Sequence, residues 1–230
     1  MKSYHHIYFD LDRTLWDFQK NSSETLKEII DEFGLYKVIK NETDFIEKYN
    51  YFNDHLWDNL KAGKISKVRL RDERFRLLMA EYNIDDPDLI AKISRHYLNN
   101  TPSKTALIPG TIAALEYLSP KYQLYIISNG FQDIQLTKMI NSGIAKYFKK
   151  VYTSDVIGYA KPKPEMFNYA INSANARKKE TLMVGDDPVN DIWGAYAARI
   201  DQVFFNPEGL ESKITPTFEI KELTELLKIL

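Results

Sequence analysis

Ile7-Tyr8-Phe9-Asp10-Leu11-Asp12-Arg13-Thr14 is the stretch on which the reading of this chain turns. Three apolar residues run straight into two aspartates, so a short buried strand ends in concentrated negative charge. Side chains two apart in extended backbone point the same way, which lets Asp10 and Asp12 face one ligand. Two carboxylates crowded like this are unfavourable unless a cation lies between them or one is protonated. In open α/β sheets, ligands bind at the carboxyl ends of the strands. The stretch therefore predicts an α/β sheet whose first strand opens onto a metal-assisted nucleophilic site.

Outward from it, the chain has two textures. From Trp16 to Asn100 the pattern is helical, with no convincing strand. Leu26, Ile29, Ile30 and Phe33 keep the i, i+3, i+4, i+7 rule, with Asn21 and Glu24 at capping-box spacing and Gly34 as a stop. Phe45, Tyr49, Phe52, Leu56 and Leu60 mark a second face ending near Gly63, with Tyr51 and Trp57 expected in or beside its core. Ser66 caps a third helix presenting Val68, Phe75, Leu78, Met79 and Tyr82. Leu89, Ile90, Ile93 and Tyr97 outline a fourth after Pro87.

From Ile108 onward, helices and strands alternate. Helices are expected over 111–118, 133–140, 165–174, 191–198 and 222–230, and strands over 124–127, 151–153, 182–184 and 202–205. Apolar strands separated by helices of this length imply βαβ units and a parallel sheet covered on both faces. Since 7–9 is the only strand before residue 100, the helical block reads as an insertion. The expectation is a Rossmann-like core of residues 1–15 and 104–230, with a helical cap over 16–103.

Bulk properties narrow the function. In 230 residues, a net charge of −1 argues against a broad electrostatic footprint for nucleic acid. The absence of cysteine removes disulfides, thiolate metal sites and cysteine nucleophiles, and fits a reducing compartment. No apolar stretch approaches the ~20 residues of a membrane span, and a first strand starting by Ile7 leaves no room for a cleavable leader. The expectation is a cytoplasmic protein with no membrane or nucleic-acid polymer as partner, a monomer or homodimer.

Polar residues follow the other strands too. Ser128-Asn129-Gly130 succeeds 124–127, and Gly185-Asp186-Asp187 with Asp191 succeeds 182–184. Lys161 stands among prolines just before the helix at 165. Each alone is an ordinary turn, cap or solvated loop; their order and common placement at strand ends are not. The chemistry that needs this set is phosphoryl transfer. One carboxylate attacks phosphorus, a second gives and takes a proton, a hydroxyl and an ammonium hold the shifting charge, and a hard cation such as Mg²⁺ screens the carboxylates from the phosphate.

These residues resemble the haloacid dehalogenase-like hydrolase superfamily over essentially the whole chain. Its Asp-x-Asp-x-Thr motif stands as Asp10, Asp12 and Thr14, its Ser/Thr motif as Ser128, its lysine as Lys161, and its Gly-Asp motif as Gly185-Asp186 with Asp191. The resemblance implies that Asp10 is the nucleophile and Asp12 the general acid and base. It implies Mg²⁺ held by Asp10 and Asp186 side chains and the Asp12 carbonyl, with Asp191 acting through water or orienting Lys161. Ser128 and Lys161 would bind the phosphoryl group, and Thr14 would support the first loop. Thr14, Asn129, Gly130 and Trp16 are carried as candidate substrate contacts; Arg13 is read as substrate-facing or surface, and the role of Asp187 stays open. Leu56-Trp57 with Gly63-Lys64-Ile65, and Ile127 to Phe131 with Gln135, are similar to bacterial pyrimidine 5′-nucleotidases, which implies a nucleoside 5′-monophosphate substrate.

Rivals remain on the same residues. A sugar phosphatase or phosphomutase would share the core. A metal-free 2-haloacid dehalogenase would have no use for Asp12, because a leaving halide needs no proton. A receiver-type phosphate-binding module would lack the helical insertion. Trp16 and Phe18 follow the first motif and could flank a base, although aromatics at a domain junction usually pack.

Overall fold

The structure is a computed structural model that describes residues 3–230. It divides into two compact units, one made of the residues up to Phe18 together with Lys104–Leu230, the other of Gln19–Ser103. The first boundary falls beyond the expected residue 15, because Trp16 is wholly buried in the core of the first unit and Phe18 packs against that core.

In chain order the elements are β1 (His6–Phe9), α1 (Phe18–Glu32), α2 (Glu42–Lys61), α3 (Lys67–Ala80), α4 (Pro87–Asn100), α5 (Thr111–Leu118), β2 (Gln123–Ser128), α6 (Gln132–Asn141), β3 (Lys150–Thr153), α7 (Ser154–Ile157), α8 (Pro164–Ser173), β4 (Thr181–Gly185), a π-helical turn (Pro188–Trp193), α9 (Gly194–Ala197), β5 (Asp201–Phe205), β6 (Phe218–Ile220) and α10 (Leu226–Ile229). The sheet is parallel throughout, in the order β3-β2-β1-β4-β5-β6. The expected α/β fold with a Rossmann-like parallel sheet is present.

Period two explains why the strands read as continuous apolar runs. Ile7 and Phe9 enter one cluster with Leu124, Ile126, Leu182, Val184 and Val203, alongside Leu115 and Leu118 of α5 and Leu226 of α10. Tyr8, Tyr125, Ile127 and Met183 enter another, with Met166, Phe167, Ala170 and Ile171 of α8 and Ala195 of α9. From Ile7 to Phe9 both faces of β1 are thus dry, and its carboxyl end runs directly into Asp10 and Asp12. Strand order reverses about β1: β2 and β3 lie to one side, β4 to β6 to the other. The crevice beyond β1 and β4 is therefore the topological switch point, where doubly wound sheets bind ligands.

Four elements differ from expectation in this unit, one of them the four-residue α7, which was not expected. β6 was not expected; it is three residues long and pairs Val203–Phe205 with Phe218–Ile220. The helix expected over 191–198 starts earlier, at Pro188, as a π turn, because Asp187 caps it: its Oδ1 accepts from the N–H groups of Val189 and Asn190, both at 2.8 Å. The closing helix is a 3₁₀ turn at Leu223–Glu225 followed by α10.

The second unit packs its helices around Leu26, Ile29, Phe45, Tyr49, Phe75, Leu78, Met79, Ile93 and Tyr97. Ser66 caps α3 by accepting from the Arg69 N–H, and Gly34 and Gly63 adopt the left-handed backbone expected of helix stops. Asn21 is not a cap: α1 begins a turn earlier, and Asn21 lies inside it, buried with Ser22, whose hydroxyl pairs with Tyr97 Oη at 2.8 Å. Val68 and Tyr51 are not core residues; each is 68% exposed. A charge is inside instead. Arg74 is buried, its Nη1 donating to Tyr49 Oη at 3.3 Å and Asn53 Oδ1 at 3.2 Å, with its guanidinium over the Tyr97 ring.

Candidate active site

At the switch point the strand ends deliver Asp10, Ser128 and Asp186. The Asp10 N–H donates to Val184 O at 2.9 Å, tying the end of β1 to the end of β4. Lys161 arrives from the loop before α8, and its ammonium lies 2.6 Å from both Asp10 Oδ1 and Asp191 Oδ1. Asp10, Asp186 and Asp191 each offer a carboxylate oxygen, all within 4.8 Å of one another. Four residues drawn from three distant stretches thus form one cluster, with Asp10, Lys161 and Asp191 buried and Asp186 half-buried.

The local devices are specific. Asn129 grips the Lys161 backbone at both ends, its Oδ1 accepting from Lys161 N at 2.7 Å and its Nδ2 donating to Lys161 O at 2.9 Å. Gly185 gives Asp191 room, since a Cβ there would stand 2.3 Å from Asp191 Oδ2. That oxygen accepts from the Asp187 N–H at 3.1 Å, while the Asp187 side chain caps the π turn and also receives the Asn190 amide. Asp187 is thus engaged by the π turn's backbone and by the Asn190 side chain.

Charge in this cluster is under stress. Burial raises the Asp10 carboxyl above its ordinary range, and the Lys161 charge and hydrogen bond only partly offset it. Burial, followed by the Asp10 charge, pushes Asp186 up to about 7 against the pull of the Thr14 hydroxyl. Asp191 is raised well above the carboxylate range by burial first, with Lys161 countering and the neighbouring carboxylates adding. Burial alone would lower Lys161, but the Asp10 and Asp191 charges outweigh it and raise it. Three carboxyls all held reluctant to ionise, and presenting only oxygen donors, fit a hard divalent cation. Asp191 has both oxygens engaged, by Lys161 and by Asp187 N–H. Among the described residues Asp186 accepts at Oδ1 alone, from Thr14 at 2.9 Å, so Asp10 and Asp186 are better placed to offer direct ligands.

Several candidate substrate contacts turn out to be spent elsewhere. Trp16 has no exposed surface, and its indole N–H donates to Lys104 O at 3.1 Å; it packs, and its faces are not open to a base. Thr14 is buried and committed to Asp186. Asn129 serves Lys161. Gly130 serves by lacking a side chain, because a Cβ there would meet Gln135 Nε2 at 2.6 Å. Arg13 is exposed in left-handed backbone, over the Phe18 ring.

Ser128 and Lys161 keep capacity for a ligand. Ser128 Oγ accepts from Gly130 N at 3.1 Å and Gln135 Nε2 at 2.7 Å, so its own proton is left to donate. Lys161 uses two of its three N–H donors on Asp10 and Asp191.

Asp12 lies outside the three-carboxylate cluster and has partners of its own. Lys138 Nζ donates to Asp12 Oδ1 at 2.6 Å and Gln135 Nε2 to Oδ2 at 2.8 Å. Sequence reasoning did not assign Lys138. Its signal was faint: on α6, Lys138 and Gln135 are buried while Ile140 is 65% exposed, an inversion of ordinary patterning.

Residues 7–205 match the family model described as haloacid dehalogenase-like hydrolase. The chain belongs to this family. It is 31% identical to YfnB of Bacillus subtilis (strain 168), which is named a HAD-hydrolase, over all of this chain and 97% of YfnB. A crystal structure of YfnB bound to magnesium superposes with a TM-score of 0.89 at 30% identity, covering 99% of each chain. PynA, a pyrimidine 5′-nucleotidase of Streptococcus pneumoniae, is 31% identical over 99% of this chain and 95% of its own. A glyceraldehyde 3-phosphate phosphatase of Pyrococcus furiosus is 30% identical over 97% of this chain and 92% of its own. The chain is accordingly a hydrolase of this family, and no helix among its described residues is long and apolar enough to cross a membrane.

Proposed function

We propose that the protein is a Mg²⁺-dependent phosphomonoesterase that works through an aspartyl-phosphate on Asp10, with a nucleoside 5′-monophosphate as substrate. The observation that carries this reading is the Lys161 ammonium 2.6 Å from both Asp10 and Asp191, inside the carboxylate cluster that includes Asp186. A buried nucleophile, a cation aimed at it and spare oxygen ligands are the parts that phosphoryl transfer requires.

Asp10 and Asp186 would hold the metal through side-chain oxygens and Asp12 through its carbonyl. Bound there, Mg²⁺ supplies positive charge that lets an anionic carboxylate and a phosphate dianion share one site. The Asp10 carboxylate attacks phosphorus while the Asp12 carboxyl protonates the departing ester oxygen. Asp12, now a carboxylate, takes a proton from water. The hydroxide oxygen bonds to phosphorus, the bond to Asp10 breaks, and inorganic phosphate leaves. Ser128 and Lys161 hold the phosphoryl oxygens with their spare donors, and Asp191 orients Lys161.

The nucleotide rests on the likeness to PynA, and the likeness to the glyceraldehyde 3-phosphate phosphatase supports a sugar-phosphate reading of the same core. A phosphate-release screen across nucleotides, sugar phosphates and phosphonates separates them. Preference for dUMP or dTMP is expected, with loss in EDTA and recovery with Mg²⁺. A clear sugar-phosphate preference would overturn the nucleotide assignment, and turnover insensitive to chelation would overturn the metal.

A further inference from the structure

Lys138 is an expensive residue to place where it stands. Its side chain is only 7% exposed, its ammonium lies 2.6 Å from Asp12 Oδ1, and the Trp16 ring lies 4.5 Å from its Nζ. A cation–aromatic contact on one side and a carboxylate on the other hold it in one position. Gln135, one turn earlier on α6, takes the second Asp12 oxygen and also reaches Ser128 Oγ. Its own Oε1 is buried without a partner among the described residues. Turning the amide over would set that oxygen against the Asp12 carboxylate, so the orphaned acceptor is the lesser cost. Even Gly130 serves the arrangement, since any Cβ would displace the Gln135 amide. Both oxygens of Asp12 are therefore oriented by one face of one helix.

We propose that Lys138, assisted by Gln135, is a positioning residue that aims the Asp12 carboxyl at the ester oxygen. This rests on the reading of Asp12 as acid and base. The step it controls is the transfer of the Asp12 proton to the departing oxygen as the ester P–O bond breaks and the Asp10 O–P bond forms. Lys138 touches neither phosphorus nor leaving group. Its loss should therefore weigh on esters in proportion to how much their leaving groups need that proton.

The test uses the full chain with Mg²⁺ and two esters, p-nitrophenyl phosphate and a nucleoside 5′-monophosphate. Nitrophenolate leaves unaided, whereas a ribose alkoxide does not, and kcat/KM reports only steps through leaving-group departure. For Lys138→Met, kcat/KM on the nucleotide should fall about 100-fold, within the range of a lost general acid, and on p-nitrophenyl phosphate less than about 5-fold. Lys138→Arg should recover most of the nucleotide activity. On an Asp12→Asn background, Lys138→Met should add no further loss, as coupled residues require. Parallel losses on both esters, or full additivity with Asp12→Asn, would overturn the inference and leave Lys138 a structural ion pair. If Lys138→Met does not give a folded protein by circular dichroism, Lys138→Gln, which keeps a polar end but drops the charge, is measured on the same pair, with the same selective loss expected and parallel losses equally fatal. A wild type that hydrolyses neither ester overturns the phosphatase reading and this inference together. An active wild type with unselective variants overturns the inference alone.

Discussion

Each of the two units buries a cation, and they do so in opposite ways. Lys161, 2% exposed in its side chain, stands between the Asp10 and Asp191 carboxylates. Arg74 is answered by neutral groups: the Tyr49 hydroxyl, the Asn53 amide oxygen and the Tyr97 ring, with no carboxylate at ion-pair distance among the described residues. Arginine does not deprotonate in proteins and is more weakly hydrated than an ammonium, so it tolerates such a neutral setting. The lysine sits among three carboxyls, two of them 2.6 Å from its ammonium. A buried charge met by carboxyls is a site prepared for a cation and a reaction, whereas one met by neutral groups is a packing solution held by dipoles and rings.

Removing the lysine should break the first arrangement outright. Lys161→Met leaves Asp10 and Asp191 facing each other in a buried space and takes away a donor to the phosphoryl group. Phosphate release is expected to fall by about 10³-fold, and urea unfolding to show a loss of about 3–5 kcal/mol, the scale for stranding a buried partner. Activity within tenfold of wild type would mean the pairing is structural and the comparison misdrawn.

Gly185→Ala tests the same cluster without touching any charge. The added methyl must displace Asp191, whose Oδ2 lies 2.3 Å from where it would stand, and the displacement is passed to Lys161 through their 2.6 Å contact. Overpacking of this kind costs about 1–3 kcal/mol, and turnover should drop about 100-fold through the lost orientation. A variant matching wild type in the phosphate assay would show that Asp191 has no part in aiming Lys161.

What was legible beforehand follows from the same contrast. β1, β2 and β4 and the polar residues at their ends could be read, because strands dry on both faces leave only apolar runs with charge where they stop. Lys138 could not be read: its partner Asp12 is far off in sequence, and hydropathy assigned α6 by its apolar residues although Ile140 faces water and Lys138 the interior. Arg74 was missed for the same reason, and Val68 was placed inward on apolar character alone although α3 turns it outward. β6 was missed because its three residues, beside Thr215-Pro216-Thr217, bury fully only at Ile220. Local pattern identifies elements well; which polar side chain turns inward is decided by a partner elsewhere in the chain.

Acidity separates the two buried cations further, because the carboxyls around Lys161 include Asp186, raised toward neutrality, whereas Arg74 keeps its charge at every pH in the range. Burial, and then the Asp10 charge, push the Asp186 carboxyl up to about 7 from an ordinary 3.8. Between those values the folded chain keeps a proton that the unfolded chain has lost. That contribution to stability is therefore complete below pH 4 and disappears as pH rises through 7. In EDTA, the melting temperature should fall from pH 5.5 to pH 8. Mg²⁺ should raise it more at pH 8, where the carboxylates are free to bind, than at pH 5.5, where protons compete. A Mg²⁺ gain that is equal at both pH values, or absent, would show that the cluster holds no divalent ion.

The smallest effect belongs to the second unit. Arg74→Met removes a charge that had to be desolvated and replaces it with an unbranched chain of similar length. It leaves the Tyr49 hydroxyl and the Asn53 amide oxygen short of one donor each, but no carboxylate is stranded. Unpartnered neutral groups cost about 1–3 kcal/mol each, and recovering the guanidinium's desolvation offsets part of that. The net loss in urea unfolding should be about 1–2 kcal/mol, well short of the Lys161→Met change. A loss as large as that of Lys161→Met would mean that the guanidinium answers a negative charge after all, and that the two buried cations are alike.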